Sequence, residues 1–381
     1  MATRRALLGS ALAAAPSLLL SLPAWAGTES KQPIRLGQSA PISGSQAKLG
    51  RVVRDTANAV FAEANASGGI GGRPIELVTL DDEDRAETTA VNVKLLSSQH
   101  QVLALFGFVG AGAHRAGPRG AQEEGLPYIA PVSGAAELRA GAAPWVYTLR
   151  ASHLDEINYI ARHTHQIGIE RMGLVFEYNS QGWELRDALI DTLKARRQEV
   201  ASISSIDHEG SRYSLPGAVS AILKGDPQAV ILGADYVASA RFVRAIREAG
   251  FTGLFYTLST VGGRALMEQL GPLAAGMSVT QVVPFPWTQT LQVSRNFQLF
   301  CERHHIAVSF EAMEAYLAAQ LVVDALRRAK QVSPTKLAES LDSLPAHDFG
   351  GYIGTLQSAR GVARSAYVDL TVYTRDGRFV R

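Results

Sequence analysis

Cysteine is almost missing from this sequence of 381 residues, since Cys301 is the only one. A single cysteine excludes a framework of internal disulfides and any metal site built from several thiolates. Cys301 lies in a run with helical spacing, so we expect a small buried apolar residue and not a nucleophile. The sequence therefore indicates no cysteine chemistry.

An excess of charge of one sign is missing too. The chain has 37 basic and 35 acidic residues, and its first 26 residues contain Arg4 and Arg5 but no acid, so the remainder is balanced. Nucleic acids and anionic lipid surfaces select proteins with a basic face. A neutral body argues against both as the main partner. No apolar stripe is left over, and we expect a monomer.

Motifs of catalytic and metal sites are also absent: the sequence has no P-loop, H-E-x-x-H, C-x-x-C or G-x-S-x-G. The paired histidines at 163/165 and 304/305 lack carboxylates at ligand spacing, and we expect them on helix surfaces. The acidic run at 81–84 allows a Ca²⁺ site, although a solvated turn that caps the next helix is the favoured interpretation. We therefore expect a protein that is not an enzyme and that holds no metal and no cofactor.

The first 26 residues have the features of an export signal. A charged start is followed by an apolar stretch at 6–22 and by an A-W-A cleavage signal that ends at residue 26. This pattern predicts a secretory signal peptide at residues 1–26. An uncleaved membrane anchor is the alternative, which Pro16 and Pro23 disfavour. No later stretch is apolar for long enough to span a membrane, so we expect the mature protein in the periplasm.

Short β-like runs alternate with amphipathic helical runs along most of the remaining chain. The alternation occurs between residues 34 and 130 and again between 152 and 249, where Ser152 and Asp155 predict a capping box. Such alternation is typical of a parallel sheet with helices on both faces. Its repetition predicts two doubly wound, Rossmann-like α/β lobes.

The last hundred residues break this rhythm. A proline-rich segment at 284–287 precedes two long predicted helices, at 291–305 and 310–329. Ser333 and Pro334 have the types expected at the cap and first position of a third helix. Residues 367–373 alternate like an antiparallel or edge strand.

A glycine-rich turn at residues 107–112 follows the third predicted strand and precedes a helix. In open parallel sheets, ligands bind beyond the carboxyl ends of the strands, and backbone N–H groups at a helix start favour an anion. The alternative is that these glycines only permit a tight turn. The spacing G-x-G-x-x-G is absent, which disfavours a Rossmann oxidoreductase.

Several segments carry a family resemblance. They are N-A-S-G-G-I-G-G-R at 65–73 with Asp81-Asp82 after the following strand, A-P-I-S-G at 40–44, G-L-P-Y-I-A-P at 125–131 and R-E-A-G-F at 247–251. The chain resembles the type I periplasmic binding proteins, specifically the branched-chain amino acid (Leu/Ile/Val-binding) family of ABC transporter solute-binding proteins. The resemblance covers residues 33–381.

This resemblance implies two lobes joined by three crossovers, with the ligand between them. Lobe one is expected at 33–149 plus 285–345, and lobe two at 150–284 plus 346–381. It implies capture of an amino acid or related small carboxylate by closure of the lobes about a hinge, and delivery to an ABC permease in the inner membrane. A ligand-sensing regulatory module is the alternative, because this fold serves both roles.

The resemblance also implies the ligand-binding residues. They are Phe108, Gly110, Ala111 and Gly112 in the first loop, Ser133 and Gly134 in the second, Gln181, Asp235, Tyr236 and Ser259 across the cleft, and Leu49 at its mouth. Ala111 stands where members of the family often have a ligand-binding serine, and Ser259 where an acid usually meets the ligand's ammonium group. Asp84 and Gly110 occupy the positions of a cysteine pair that some members have.

Overall fold

The computed structural model describes residues 32–139, 145–207, 214–344, 346–358 and 367–381. The predicted signal peptide at 1–26 lies outside the described residues. Within the described ranges, no helix combines the length and the apolar character needed to cross a membrane.

Strands and helices alternate through most of the described chain. The strands are β1 (Ile34–Ala40), β2 (Ile75–Asp81), β3 (Ala104–Phe106), β4 (Tyr128–Ile129), β5 (Val146–Thr148), β6 (Arg171–Glu177), β7 (Glu199–Ile206), β8 (Ala229–Gly233), β9 (Leu254–Thr257), β10 (Ser278–Gln281), β11 (Ala346–Asp348), β12 (Ile353–Thr355), β13 (Gln357–Ser358), β14 (Asp369–Tyr373) and β15 (Phe379–Val380). The α-helices are α1 (Ala47–Ala66), α2 (Ala86–Ser98), α3 (Ala111–Glu124), α4 (His153–Gln166), α5 (Ser180–Arg196), α6 (Leu215–Gly225), α7 (Tyr236–Glu248), α8 (Arg264–Leu270), α9 (Gln292–His304), α10 (Phe310–Arg328) and α11 (Pro334–Asp342).

The first lobe is built on a sheet with the strand order β13-β5-β4-β3-β1-β2. Strands β1 to β5 are parallel, and β13 pairs antiparallel with β5. Ala104 and Phe106 pack in one core and Leu105 packs in another, because successive side chains of a strand point to opposite faces. Both faces of the sheet are thus buried.

The second lobe repeats this plan with the order β15-β14-β10-β9-β8-β6-β7. Strands β6 to β10 are parallel, and β14 and β15 pair antiparallel at one edge. Val230 and Leu232 lie in the core on one face, and Ala229 and Ile231 in the core on the other. The prediction of two doubly wound α/β lobes is confirmed. The strand predicted near the end of the chain is β14, which is antiparallel and lies between β10 and the edge strand β15.

The capping box predicted at the start of α4 is present. The Asp155 N–H donates to Ser152 Oγ at 3.0 Å, and the Ser152 N–H donates to Asp155 Oδ2 at 2.9 Å. This cap fixes where α4 begins, directly after the chain leaves β5 of the first lobe.

The chain passes between the two sheets three times: after β5, after β10, and between β13 and β14. The third passage comes later than the predicted boundary at residue 346. Phe349 and Tyr352 are buried in the core of the first lobe, and β13 pairs with β5. We therefore move residues 346–358 to the first lobe, and the lobe boundaries drawn in this way remain a proposal.

Cys301 is buried on α9, as expected. Burial raises the pKa of its thiol to about 12, so the reactive thiolate is scarce near neutral pH.

The acidic run at 81–84 forms a turn that is held by its own carboxylates. Asp82 is fully buried and not solvated as expected. Its Oδ2 accepts hydrogen bonds from the hydroxyls of Ser39 at 2.7 Å and Thr89 at 3.0 Å, which replace those of water. Asp81 Oδ1 accepts the Ile42 N–H at 2.9 Å. Among the described residues, no group of three or more potential ligands could hold a metal ion.

Candidate functional site

Two cavities lie between the lobes, at the carboxyl ends of the parallel strands. The small cavity, of about 80 Å³, is lined by residues of the first lobe such as His114 and by residues of the second lobe such as Asn179. The large cavity, of about 720 Å³, is lined by α1, the start of α10, the β9–α8 loop and residues 281–283. The cavities share Leu49, Val132, Thr260 and Val261 as lining residues, so they adjoin.

Most of the predicted binding residues line these cavities. Gly110, Ala111, Ser133, Gln181 and Asp235 line the small cavity, Tyr236 and Ser259 line the large one, and Leu49 lines both. Loops of the two lobes therefore lie around the same pair of cavities. Their role as ligand-binding residues remains a proposal.

Three predicted residues, Phe108, Gly112 and Gly134, line neither cavity. Phe108 is fully buried and packs edge-on against Tyr128, with a centroid separation of 5.1 Å. The Gly134 N–H donates to His153 Nε2 at 3.2 Å, so it is already paired. These residues support the binding loops from behind.

The N-terminus of α3, where a ligand anion was expected, carries a carboxylate of the protein itself. The Gly112 N–H donates to Asp84 Oδ1 at 3.1 Å. A Cβ on Gly110 would lie 2.3 Å from the same oxygen, and Gly110 has φ of 99°, a conformation that favours glycine. The Asp84 carboxylate therefore holds the first loop in place at the start of α3. It accepts the hydrogen bond of a backbone N–H that would otherwise face a ligand anion.

A buried ionic cluster, formed by Arg150, Glu156 and Glu314, lies beside the large cavity. Arg150 is 2% exposed; its Nη2 lies 3.8 Å from Glu156 Oε1 and donates to Ser259 Oγ. Glu156 Oε2 accepts the Ser259 N–H at 2.8 Å and the hydroxyl of Thr280. Arg150 follows β5 of the first lobe, and its partners Glu156 and Ser259 lie in the second lobe, so the cluster joins the lobes near the first crossover.

The third member of the cluster approaches from α10 of the first lobe. Glu314 Oε1 lies 3.4 Å from Arg150 Nη1, and the side chain lines the large cavity. Burial raises the pKa of the Glu314 carboxyl, and the positive charge of Arg150 opposes this effect. The sequence did not predict this cluster, because Glu156 has the ordinary pattern of an acidic residue in the first turn of a helix.

His114 is a second residue that sequence reasoning missed. It is 4% exposed, and its Nε2 lies 3.2 Å from the Val132 carbonyl oxygen. Burial, aided by the nearby charge of Arg150, lowers the pKa of the imidazole to about 3, so the ring is neutral near pH 7. Nε2 then carries the proton and donates to the Val132 carbonyl oxygen, which leaves Nδ1 as a buried acceptor.

Direct contacts bridge the lobes around the large cavity. Lys48 Nζ lies 2.5 Å from Glu268 Oε2, and the Arg264 N–H donates to Glu311 Oε1 at 3.1 Å. The Tyr236 hydroxyl donates to the Ser45 carbonyl oxygen. The lobes are thus in direct contact beside the large cavity.

Comparisons with known proteins agree with this architecture. Residues 33–369 match the family model of the periplasmic binding proteins. The leucine-, isoleucine-, valine-, threonine- and alanine-binding protein of Pseudomonas aeruginosa is 20% identical over 81% of this chain and 82% of its own.

Solved structures give the same result. A possible leucine/isoleucine/valine-binding protein from Rhodopirellula baltica has a TM-score of 0.85 and 25% identity, over 92% of this chain and 97% of its own. A substrate-binding periplasmic protein from Ralstonia solanacearum has a TM-score of 0.83 and 29% identity, over 91% of this chain and 99% of its own. The fold and the cleft are those of a type I periplasmic binding protein. The chain belongs to the periplasmic binding protein family.

Proposed function

We propose that this protein captures a small molecule between its lobes and delivers it to an ABC permease of the inner membrane. The ligand is an amino acid or a related small carboxylate, and no covalent chemistry takes place. Export through a cleaved signal peptide at 1–26 places the monomeric protein in the periplasm. One observation carries the proposal: predicted binding residues of both lobes line adjoining cavities at the carboxyl ends of the strands.

Capture takes place by closure of the lobes about the segments that cross between the sheets. The ligand touches Ser133 of the first lobe together with Gln181 or Asp235 of the second, so it stabilises the closed arrangement over an open one. The exposed Lys48–Glu268 pair contributes little to this balance, because solvent screens such pairs. Ligand contacts therefore dominate closure.

A ligand screen by thermal shift tests the proposal. The mature protein, residues 27–381, is heated with amino acids, aromatic acids and dicarboxylates. A ligand at a hundred times its Kd stabilises the native state by about 2.7 kcal/mol and raises the melting temperature. Small-angle scattering with that ligand should show a smaller radius of gyration. If no compound raises the melting temperature, the proposed function is wrong, and an unchanged radius at saturation would contradict closure.

Replacement of Ser133 by alanine is expected to weaken ligand binding about ten- to a hundredfold. Ser133 Oγ lines the small cavity and accepts the Ala135 N–H at 3.2 Å, so its own O–H remains to donate to a ligand. A hydrogen bond to a charged group contributes about 1.5–3 kcal/mol.

Calorimetry measures the affinity of Ser133→Ala for the ligand found in the screen. The control is Ser340→Ala, which removes a buried hydroxyl bound to the Ala325 carbonyl, away from both cavities. Affinity within about twofold of the parent would mean that Ser133 only shapes the turn.

A further inference from the structure

Two carboxylates share one guanidinium beside the large cavity. Arg150 lies 3.8 Å from Glu156 Oε1 through Nη2 and 3.4 Å from Glu314 Oε1 through Nη1. One positive and two negative groups give this cluster a net charge of −1 when all three are ionised. Arg139 is also close, but it donates to the carbonyl oxygens of Ala135 and Arg150 and does not line the cavity. The cluster therefore has one carboxylate more than its arginine can neutralise.

The two carboxylates of the cluster differ in the contacts that they make. Glu156 accepts hydrogen bonds from the Ser259 N–H, the Ser259 hydroxyl and the Thr280 hydroxyl. Glu314 has its ion pair with Arg150, and its carboxylate accepts no hydrogen bond from the residues that the structure describes. A carboxylate withdrawn from water needs hydrogen bonds as well as an opposite charge to offset its desolvation. Glu314 is therefore the incompletely satisfied member of the cluster.

The Glu314 side chain can be reached from the large cavity. It is 14% exposed and lines the cavity, whereas Glu156 is fully buried and lines neither cavity. Two cations at the edge of the large cavity, Lys48 and Arg264, both pair with Glu268 and not with Glu314. A ligand in the large cavity can therefore place a cationic donor against Glu314.

The large cavity also has an apolar wall. It is lined by Val52 and Ala59 of α1, by Val282 and Val283 after β10, and by Phe310 at the start of α10. Its volume of about 720 Å³ lies within the roughly 300–1,000 Å³ of cavities that bury small-molecule ligands. Apolar surface of a ligand that is removed from water against this wall adds to its affinity.

On the basis of the proposed function, we propose that the ligand carries a protonated amine that donates to the Glu314 carboxylate, and an apolar body that lies against the wall of the large cavity. The ammonium group balances the excess negative charge of the cluster and supplies the hydrogen bonds that Glu314 lacks. Among the ligands of the proposed function, this selects apolar amino acids over organic acids without an amine. Glu314 is then a specificity-determining residue, and the family resemblance did not imply it.

Calorimetry with matched compounds tests the need for the amine. Leucine and phenylalanine are titrated into the mature protein, as are 4-methylpentanoate and 3-phenylpropanoate, the same molecules without the amine. The better-bound amino acid should bind at least tenfold more tightly than its matched acid, since the acid cannot donate to Glu314. An acid that binds within about threefold of its amino acid, or more tightly, would overturn the inference and leave the proposed function standing. If none of the four compounds binds, the inference is wrong, and the wider ligand screen decides the proposed function separately.

Replacement of Glu314 by glutamine tests the residue itself. Glu314→Gln keeps the shape of the side chain and removes its charge, so it should weaken binding of the amino acid at least tenfold and change binding of the matched acid by less than about twofold. Glu339→Gln is the control, because Glu339 is exposed on α11 and lines neither cavity. Equal losses for the amino acid and the acid would mean that Glu314 only shapes the cavity. Far-UV circular dichroism verifies the fold, and the comparison of compounds on the parent protein stands without this variant.

A second substitution tests whether the ligand lies in the large cavity. Ala59→Trp fills this cavity from α1 and should weaken binding of the amino acid at least tenfold, whereas Ala62→Trp, on the exposed side of the same helix, should not change it. Unchanged affinity in Ala59→Trp would place the ligand outside the large cavity and contradict the inference.

Discussion

Replacement of Glu156 by alanine is expected to lower the free energy of unfolding by about 3–5 kcal/mol. Arg150 is 2% exposed, and Glu156 is fully buried and accepts hydrogen bonds from Ser259 and Thr280. Without this carboxylate the guanidinium keeps Glu314, 3.4 Å from Arg150 Nη1, as its remaining carboxylate partner in the cluster. Urea unfolding followed by far-UV circular dichroism measures the loss.

A double variant separates the isolated charge from the lost packing. In Glu156→Ala with Arg150→Met, the buried cation is gone, so the double variant should be more stable than Glu156→Ala alone. Arg186→Ala with Asp187→Ala is the control, because this exposed pair should change stability by less than about 1 kcal/mol. If the double variant is less stable than Glu156→Ala alone, the destabilisation does not come from an unpaired Arg150.

The fold could be predicted from the sequence largely because its signals are local. The spacing of Val53, Ala57, Val60, Phe61 and Ala64 predicts a helix, and the same residues form the buried face of α1. The capping box at Ser152 needs only two side chains three residues apart. The last lobe boundary depends on long-range packing, because Phe349 and Tyr352 join the core of the first lobe through contacts that no local pattern contains.

The site was predicted less completely than the fold, for the same reason. The glycine-rich turn located the loop that contains Gly110, and the family resemblance implied Ser133 and Asp235; all three residues line the small cavity. The resemblance did not reveal that Asp84 takes up the Gly112 N–H, because the two residues are 28 positions apart. Arg150 and Glu156 likewise become a buried pair only when the second lobe packs over the end of β5. Ion pairs and pKa shifts that depend on burial in the folded protein cannot be predicted from local sequence patterns.

Two glycine-to-alanine substitutions in helices are expected to change stability in opposite directions. Helix propensity alone predicts that alanine stabilises both positions by about 0.5–1 kcal/mol. Gly217 of α6 meets that expectation, because nothing lies within 4 Å of the added Cβ. At Gly50 of α1 the added Cβ would lie 2.0 Å from the carbonyl oxygen of Pro41. This oxygen belongs to the backbone, so no side-chain rotation can relieve the clash.

Gly50→Ala should therefore lower the free energy of unfolding by about 1–3 kcal/mol, since overpacking forces the backbone to shift. The difference between the two variants, about 1.5–4 kcal/mol, is measured by urea unfolding of both under the same conditions. Gly50→Ala should also weaken ligand binding, because the neighbouring residue Leu49 lines both cavities. Equal stability of the two variants would mean that α1 does not pack against the Pro41 turn. In that case, contact between α1 and this turn does not determine the position of Leu49 at the cavities.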